Sequence, residues 1–236
     1  MKTRQRVSQV TVVVLAAGTF SWIASAQNQQ MQERVAEVKA LAARNKQALM
    51  QYTWVEEVTI SLKGEQKKQE HFQVRLGPDG KQEKTSLDPP AAPPEHEGRL
   101  KKHIVEKKTE EYKDYADQIK ALIQQYVPPE KDLIEHAYQA GNIAVAPQGG
   151  VPGEYRLVIS NYIKQGDSMT LVLDKAQKGL VSVSIASYLN DPKDAVNVTV
   201  AFSALPDGPN HVSAETINGV GKQLTIAIQN SNYRRI

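Results

Sequence analysis

Between Tyr155 and Tyr233 the chain alternates apolar and polar residues in one short segment after another, and that period of two limits what it can fold into. Tyr155, Leu157, Ile159 and Ile163 alternate with Arg156, Ser160 and Lys164. Met169, Leu171 and Leu173 alternate with Ser168, Thr170 and Asp174, and Val181, Val183 and Ile185 with Ser182, Ser184 and Ala186. Val196, Val198, Val200 and Phe202 alternate with Asn197, Thr199 and Ala201, and Leu224, Ile226 and Ile228 with Gln223, Thr225 and Gln229. Successive side chains of a strand point to opposite faces, so each segment has one dry face and one wet face. The segments are separated by Lys164-Gln165-Gly166-Asp167, Lys178-Gly179, Asn190-Asp191-Pro192-Lys193 and Leu205-Pro206-Asp207-Gly208. Connections this short join antiparallel neighbours.

The same period appears earlier. Tyr52, Trp54, Val58, Ile60 and Leu62 share a face that Glu56 interrupts. Lys63-Gly64 turns the chain into Phe72, Val74 and Leu76, which alternate with His71, Gln73 and Arg75. Gly77-Pro78-Asp79-Gly80 is strong turn chemistry, and a third strand is expected from Lys81 to Ser86. Glu56 on an apolar face reads as a strand end, a bulge, the partner of a Lys or Arg, or a polar contact inside a cavity. About nine to eleven strands result, a number at which an open sheet tends to curl.

Three segments carry helical spacing instead. Over 27–51, Met31, Val35, Val38, Ala42 and Leu49 form one apolar stripe opposite Glu33, Arg34, Lys39, Arg44 and Lys46, as suits a helix lying on a sheet. A Pro-rich loop is expected over 87–98, where Asp88-Pro89-Pro90-Ala91-Ala92-Pro93-Pro94 favours an extended connection. A helical insert follows over 99–141. Leu100, Ile104, Tyr112, Tyr115, Ile119, Leu122 and Tyr126 fit one long helix or two shorter ones, with Lys and Glu mixed on the polar face. Pro128-Pro129 interrupts, Glu130-Lys131-Asp132 opens a short helix through Tyr138, and Gly141 is placed to cap it.

The first 26 residues have the layout of a secretory signal peptide. Lys2, Arg4 and Arg6 precede an apolar stretch over 10–23 that is short for a membrane span, and Ala24-Ser25-Ala26 forms a small-x-small site before Gln27. Cleavage there leaves 210 of the 236 residues as a single expected domain, 27–236. The leader holds three of the 29 basic residues and none of the 26 acidic ones, so the mature chain balances at 26 against 26. A neutral mature chain offers no electrostatic case for nucleic acid. The chain contains no cysteine, so its stability has to come from core burial, and Gln27 stands where a lipoprotein would carry its lipidated cysteine. A soluble occupant of the periplasm, not itself a lipoprotein, is expected.

Catalytic patterns are absent. The five histidines, His71, His96, His103, His136 and His211, show no HxH, HxxxH or HExxH spacing, so no metal site is expected. There is no GxSxG, no P-loop and no dinucleotide-binding glycine pattern, and neither enzyme activity nor a cofactor is expected.

Taken in order, an export signal, one N-terminal helix, a short meander, mid-chain helices and a longer meander resemble the LolA/LolB-type lipoprotein-carrier fold. The resemblance implies an α+β fold in which a strongly curved, incompletely closed antiparallel sheet wraps a hydrophobic cavity under helices. It also implies a periplasmic carrier or sensor of lipid or acylated protein, monomeric, with transient membrane-surface or envelope-protein contacts. The candidate lining is Trp54, Val58, Ile60, Phe72, Val74, Leu171, Val198, Val200 and Ile226. The same alternation equally suits an envelope scaffold or protein-interaction domain in which these residues form a filled core.

Overall fold

The chain divides into two units, Met1–Arg44 and Asn45–Ile236. The computed structural model describes residues 40, 43–89, 99–127, 129–149, 151–174, 179–206 and 209–236, with the backbone alone over 99–109. The signal peptide, most of the helix expected over 27–51 and most of the Pro-rich loop lie outside these residues. Ala40, Ala43 and Arg44 of the first unit are helical. In the second unit residues 45–49 form the last helical residues, α1, before the first strand.

Ten strands follow: β1 (Tyr52–Leu62), β2 (Glu65–Leu76), β3 (Gln82–Ser86), β4 (Ile143–Pro147), β5 (Glu154–Ser160), β6 (Ser168–Asp174), β7 (Gly179–Tyr188), β8 (Ala195–Ala204), β9 (Asn210–Gly219) and β10 (Leu224–Arg235). Helices α2 (Arg99–Ile123) and α3 (Lys131–Gln139) lie between β3 and β4. The strands form one open, curved antiparallel sheet in the order β3-β2-β1-β10-β9-β8-β7-β6-β5-β4. This is the architecture the alternation and the resemblance led us to expect. The long run from Leu100 to Ile123 is a single helix. Gly141 follows α3 with φ +73°, the left-handed conformation that ends a helix at little cost to glycine.

Two features of this topology position the helices over the sheet. The first strand pairs with the last, so two meanders fuse into one sheet at β1–β10. The helical insert then has to run from one free edge, β3, to the other, β4. Both edges are short, and each carries a deterrent to further pairing. On β3 these are exposed Glu83 and Lys84; on β4 it is Pro147.

Cross-strand partners share a face, so the register identifies which side chains stand together. One row reads Ile60–Ile226–Ile217–Val198–Ile185–Met169–Ile159–Ile143 across eight strands, apolar throughout. The adjacent row on that face reads Val58–Ile228–Glu215–Val200–Val183–Leu171–Leu157–Val145. A register shift between Ala201 and Phe202 places Phe202 opposite Val212, while Val200 stands opposite Glu215. The extra residue of this bulge is Ser213 on β9.

The insert packs on this same face. Tyr115, Ile119, Leu122 and Tyr126, spaced four, three and four, are buried, as are Ile134 and Ala137 of α3. Gly219, on the row of Leu224 and Val196, is where α2 comes closest. A Cβ there would lie 2.6 Å from Cε1 of Tyr115 and 2.7 Å from Cδ1 of Ile119. Gly219→Ala should therefore force the helix outward and cost about 1–3 kcal/mol, read as a lower urea midpoint at unchanged m-value.

Hydroxyls fasten the helices to the sheet ends. Tyr115 donates to Asp194 Oδ1 at 2.5 Å, and burial, with Asp194 beside it, pushes the phenol up to about 12. Tyr162 Oη accepts the Glu130 backbone N–H at 2.9 Å. On the opposite face, Asp88 holds the chain leaving β3 against β2. Its Oδ2 accepts the His71 backbone N–H at 2.7 Å, and its Oδ1 lies 2.9 Å from His71 Nδ1.

The hydrogen bond to Asp88 raises the His71 pKa, and hydrogen bonds from the His71 backbone and ring lower that of Asp88. A raised histidine stabilises fully below its unfolded pKa and loses the effect as pH rises through the folded one. A lowered carboxylate does so above its unfolded pKa and loses the effect as pH falls through the folded one. The clasp should thus be tightest between about pH 4 and 6.5. Observed by NMR, the His71 ring should titrate above the usual histidine range, and Asp88→Asn should return it there.

Candidate functional site

All nine residues expected to line a cavity stand on the helix-bearing face. Val58, Ile60, Leu171, Val198, Val200 and Ile226 occupy the two long register rows. Trp54 pairs with Val74, and Phe72 with Glu56, at the end of β1 far from Leu62. Parity along a strand is a local property, which is why sequence alone places them together.

Their environments differ. Across β5–β8 the first row is sealed, with Ile159, Met169, Ile185 and Val198 buried alongside the tyrosines and aliphatics of the insert, whereas in the second row Leu157 and Val183 are half-buried and Val145 is exposed. Leu171 is the buried member of the second row. Towards β1, β10 and β9 the rows open, and Val58, Ile60, Ile226, Ile228, Ile217 and Val200 are each only half-buried. Six β-branched side chains in adjacent register positions make a continuous apolar surface on a curved sheet, the kind of concavity apolar ligands occupy.

Beyond the open rows lies a polar and aromatic end. Trp54 stacks on Tyr233 with ring centroids 5.4 Å apart and planes 15° from parallel, and Tyr233 contacts His211 at 4.1 Å. The Trp54 indole N–H donates to Asn230 Oδ1 at 3.1 Å, and Asn230 Nδ2 donates to the Val212 carbonyl at 3.0 Å. Burial raises the Tyr233 pKa, and its hydroxyl donates to the same carbonyl at 3.2 Å. Ser213 donates to the Ala201 carbonyl at 3.2 Å.

Glu56 is 2% exposed and accepts a hydrogen bond from the ammonium of Lys84, reaching across from β3. Of the readings the sequence left open for Glu56, pairing with a lysine is the one observed. Lys84 also lies 5.9 Å over the Phe72 ring. Glu215 is the one polar residue in its eight-residue row. Burial raises its pKa, the nearby Glu56 charge adds to this, and Lys84 opposes it.

Sequence reasoning singled out Glu56 but missed Lys84, Glu215, Asn230, Tyr233 and His211. On β9 Glu215 breaks the row next to Ile217 and a bulge at Ser213 interrupts the period, so no apolar alternation marks the strand. Among the described residues no group of three or more His, Asp or Glu is placed to hold a metal. No described helix is long and apolar enough to cross a membrane.

No protein-family model matches the chain, and no curated protein does. Among solved structures it is similar to a DUF1329 family protein from Desulfovibrio piger at 16% sequence identity, with a TM-score of 0.39, over 84% of this chain and 92% of that one. It is also similar to a LolA superfamily protein from Nitrosomonas europaea at 6% identity, with a TM-score of 0.37, over 84% of this chain and 93% of that one.

Proposed function

We propose that this chain is an exported, non-enzymatic periplasmic carrier or sensor that binds the aliphatic part of a lipid or an acylated protein on the helix-bearing face. The observation that carries this reading is the open half of the two apolar rows. Val58, Ile60, Val200, Ile217, Ile226 and Ile228 keep accessible surface on a curved sheet whose first row is sealed by helices across β5–β8. An acyl chain needs no polar chemistry there, since each buried CH₂ contributes about 0.8 kcal/mol. Eight to ten methylenes laid along the rows would contribute about 6–8 kcal/mol before the cost of association is met.

The scaffold reading, with a filled core, draws on the sealed part of the first row, where Ile159, Met169 and Ile185 are close to inaccessible. The two readings separate in one experiment. Mature protein purified from a bacterial periplasm is examined by native mass spectrometry before and after organic extraction, and then titrated with a fluorescent fatty-acid probe. The carrier reading expects an extractable lipid mass and saturable probe uptake. It also expects Ile60→Ser and Ile226→Ser each to weaken uptake roughly five- to tenfold, in line with losing part of a buried aliphatic side chain. Lipid-free protein that takes up no probe would sink it in favour of the scaffold.

A further inference from the structure

Almost every polar side chain at the end of the open rows already has a partner within the chain. Glu56 and Lys84 hold each other. Asn230 uses both ends of its amide, and Tyr233 and Ser213 both donate to backbone carbonyls. Two groups are left over. One is the Glu215 carboxyl, which makes no hydrogen bond or ion pair among the described residues although Ile228 and Val200 flank it. The other is His211 Nδ1, on a residue only 7% exposed, which has no hydrogen-bond partner. Native interiors leave few such groups, so each calls for an explanation.

Both leftovers have the same chemical character. Burial holds the His211 pKa down, and the imidazole's other nitrogen is engaged with the Ser203 backbone, its register partner on β8. A neutral imidazole that donates from one nitrogen presents the other as a bare acceptor. Glu215 is acceptor-only when ionised, and an apolar row disfavours that charge unless a cation meets it. The lysine nearest to it is committed to Glu56. The open end of the trough thus presents two acceptors that no described hydrogen-bond donor meets.

We propose that Glu215 is the headgroup-selecting residue of the trough, and that the favoured ligand is an aliphatic amphiphile carrying a protonated primary amine. This rests on the carrier reading above and narrows its ligand class. The chain lies along Ile60, Ile226, Ile217 and Val200, and the ammonium forms a charge-assisted pair with Glu215. The bare His211 nitrogen gives a second acceptor for a headgroup that bears a further donor. An anionic head meets the opposite situation, because it would face Glu215 and Glu56 with only a committed lysine to pair with.

The test compares dodecylamine, dodecanol and dodecanoate, three ligands with one chain length, as displacers of a bound apolar fluorescent probe from the mature chain at neutral pH and low salt. Dodecylamine should bind at least tenfold tighter than dodecanol, with dodecanoate weakest. Glu215→Gln, nearly the same shape, should bring dodecylamine and dodecanol within about twofold of each other. If dodecanol binds but dodecylamine binds no better, or if the preference survives Glu215→Gln, the headgroup assignment is overturned and the carrier reading stands. If none of the three displaces the probe, the carrier reading falls and takes the assignment with it. The ranking in the unaltered protein needs no variant to fold.

Discussion

Replacing Lys84 by methionine should destabilise the chain by about 2–4 kcal/mol, although Lys84 stands on the short edge strand β3 where substitutions are usually mild. The reason is its partner. Glu56 is 2% exposed, and Lys84 is the one cation that meets its carboxylate among the described residues. A buried charge that loses its partner keeps its desolvation cost, which in fully buried pairs amounts to about 3–5 kcal/mol. The Lys84 side chain is 37% exposed, so water already screens part of the pair, and the lower end of that range applies.

Companion variants fix the sign of the effect. Glu56→Leu leaves a lysine that can turn outward along its own stem, so its cost should be small. Glu56→Leu combined with Lys84→Met should recover most of what Lys84→Met loses, because neither charge remains to be desolvated. Urea unfolding of the three variants closes a double-mutant cycle. A Lys84→Met midpoint indistinguishable from that of the unaltered protein would show that the pair contributes nothing.

The largest loss from a single residue is expected at Tyr126, which is fully inaccessible and fastens the end of α2 to the β5–β6 turn and the end of β7. Its hydroxyl donates to Asp167 Oδ2 at 2.5 Å and lies 2.8 Å from Ser187 Oγ. Asp167 in turn accepts the backbone N–H groups of Tyr162, Ile163 and Lys164 at 2.6, 3.0 and 2.9 Å, which shapes the turn between β5 and β6. Burial and the Asp167 hydrogen bond raise the phenol pKa, so the hydroxyl stays a donor throughout the working pH range.

Tyr126→Ala removes the ring and the donor together, for about 3–5 kcal/mol. Tyr126→Phe removes the donor alone and leaves Asp167 and Ser187 short of a partner, for about 1–3 kcal/mol. Hydrogen exchange adds a local readout. In both variants the amides of Tyr162, Ile163 and Lys164 should exchange faster, by more than the global loss accounts for. Equal stability of Tyr126→Phe and the unaltered protein would mean that the network is not worth its geometry.

The elements most legible in the sequence were those whose inward face is aliphatic throughout. Strands β1, β5, β6, β8 and β10 announce themselves by alternation, and the helices by threes and fours, because both periods are set by backbone geometry that each residue carries locally. Strand β9 does not, since Glu215 stands in its inward row, a bulge at Ser213 interrupts its period, and nothing in a run of polar residues says which side faces in. Strand β4 is five residues long, too short for a period to establish itself.

The sequence by itself determined the face. Every residue expected to line a cavity is found on one side of the sheet, as parity requires. Only the tertiary structure decided what that face is like. It joined Glu56 to a lysine 28 residues away, set the polar Glu215 between Ile228 and Val200, and let the insert seal the first row across β5–β8 while its β1, β9 and β10 positions stayed open. Alternation is written residue by residue, whereas pairing and coverage depend on which strands meet and where a helix comes to rest. Those are sums over distant contacts, and no single stretch of the chain contains them.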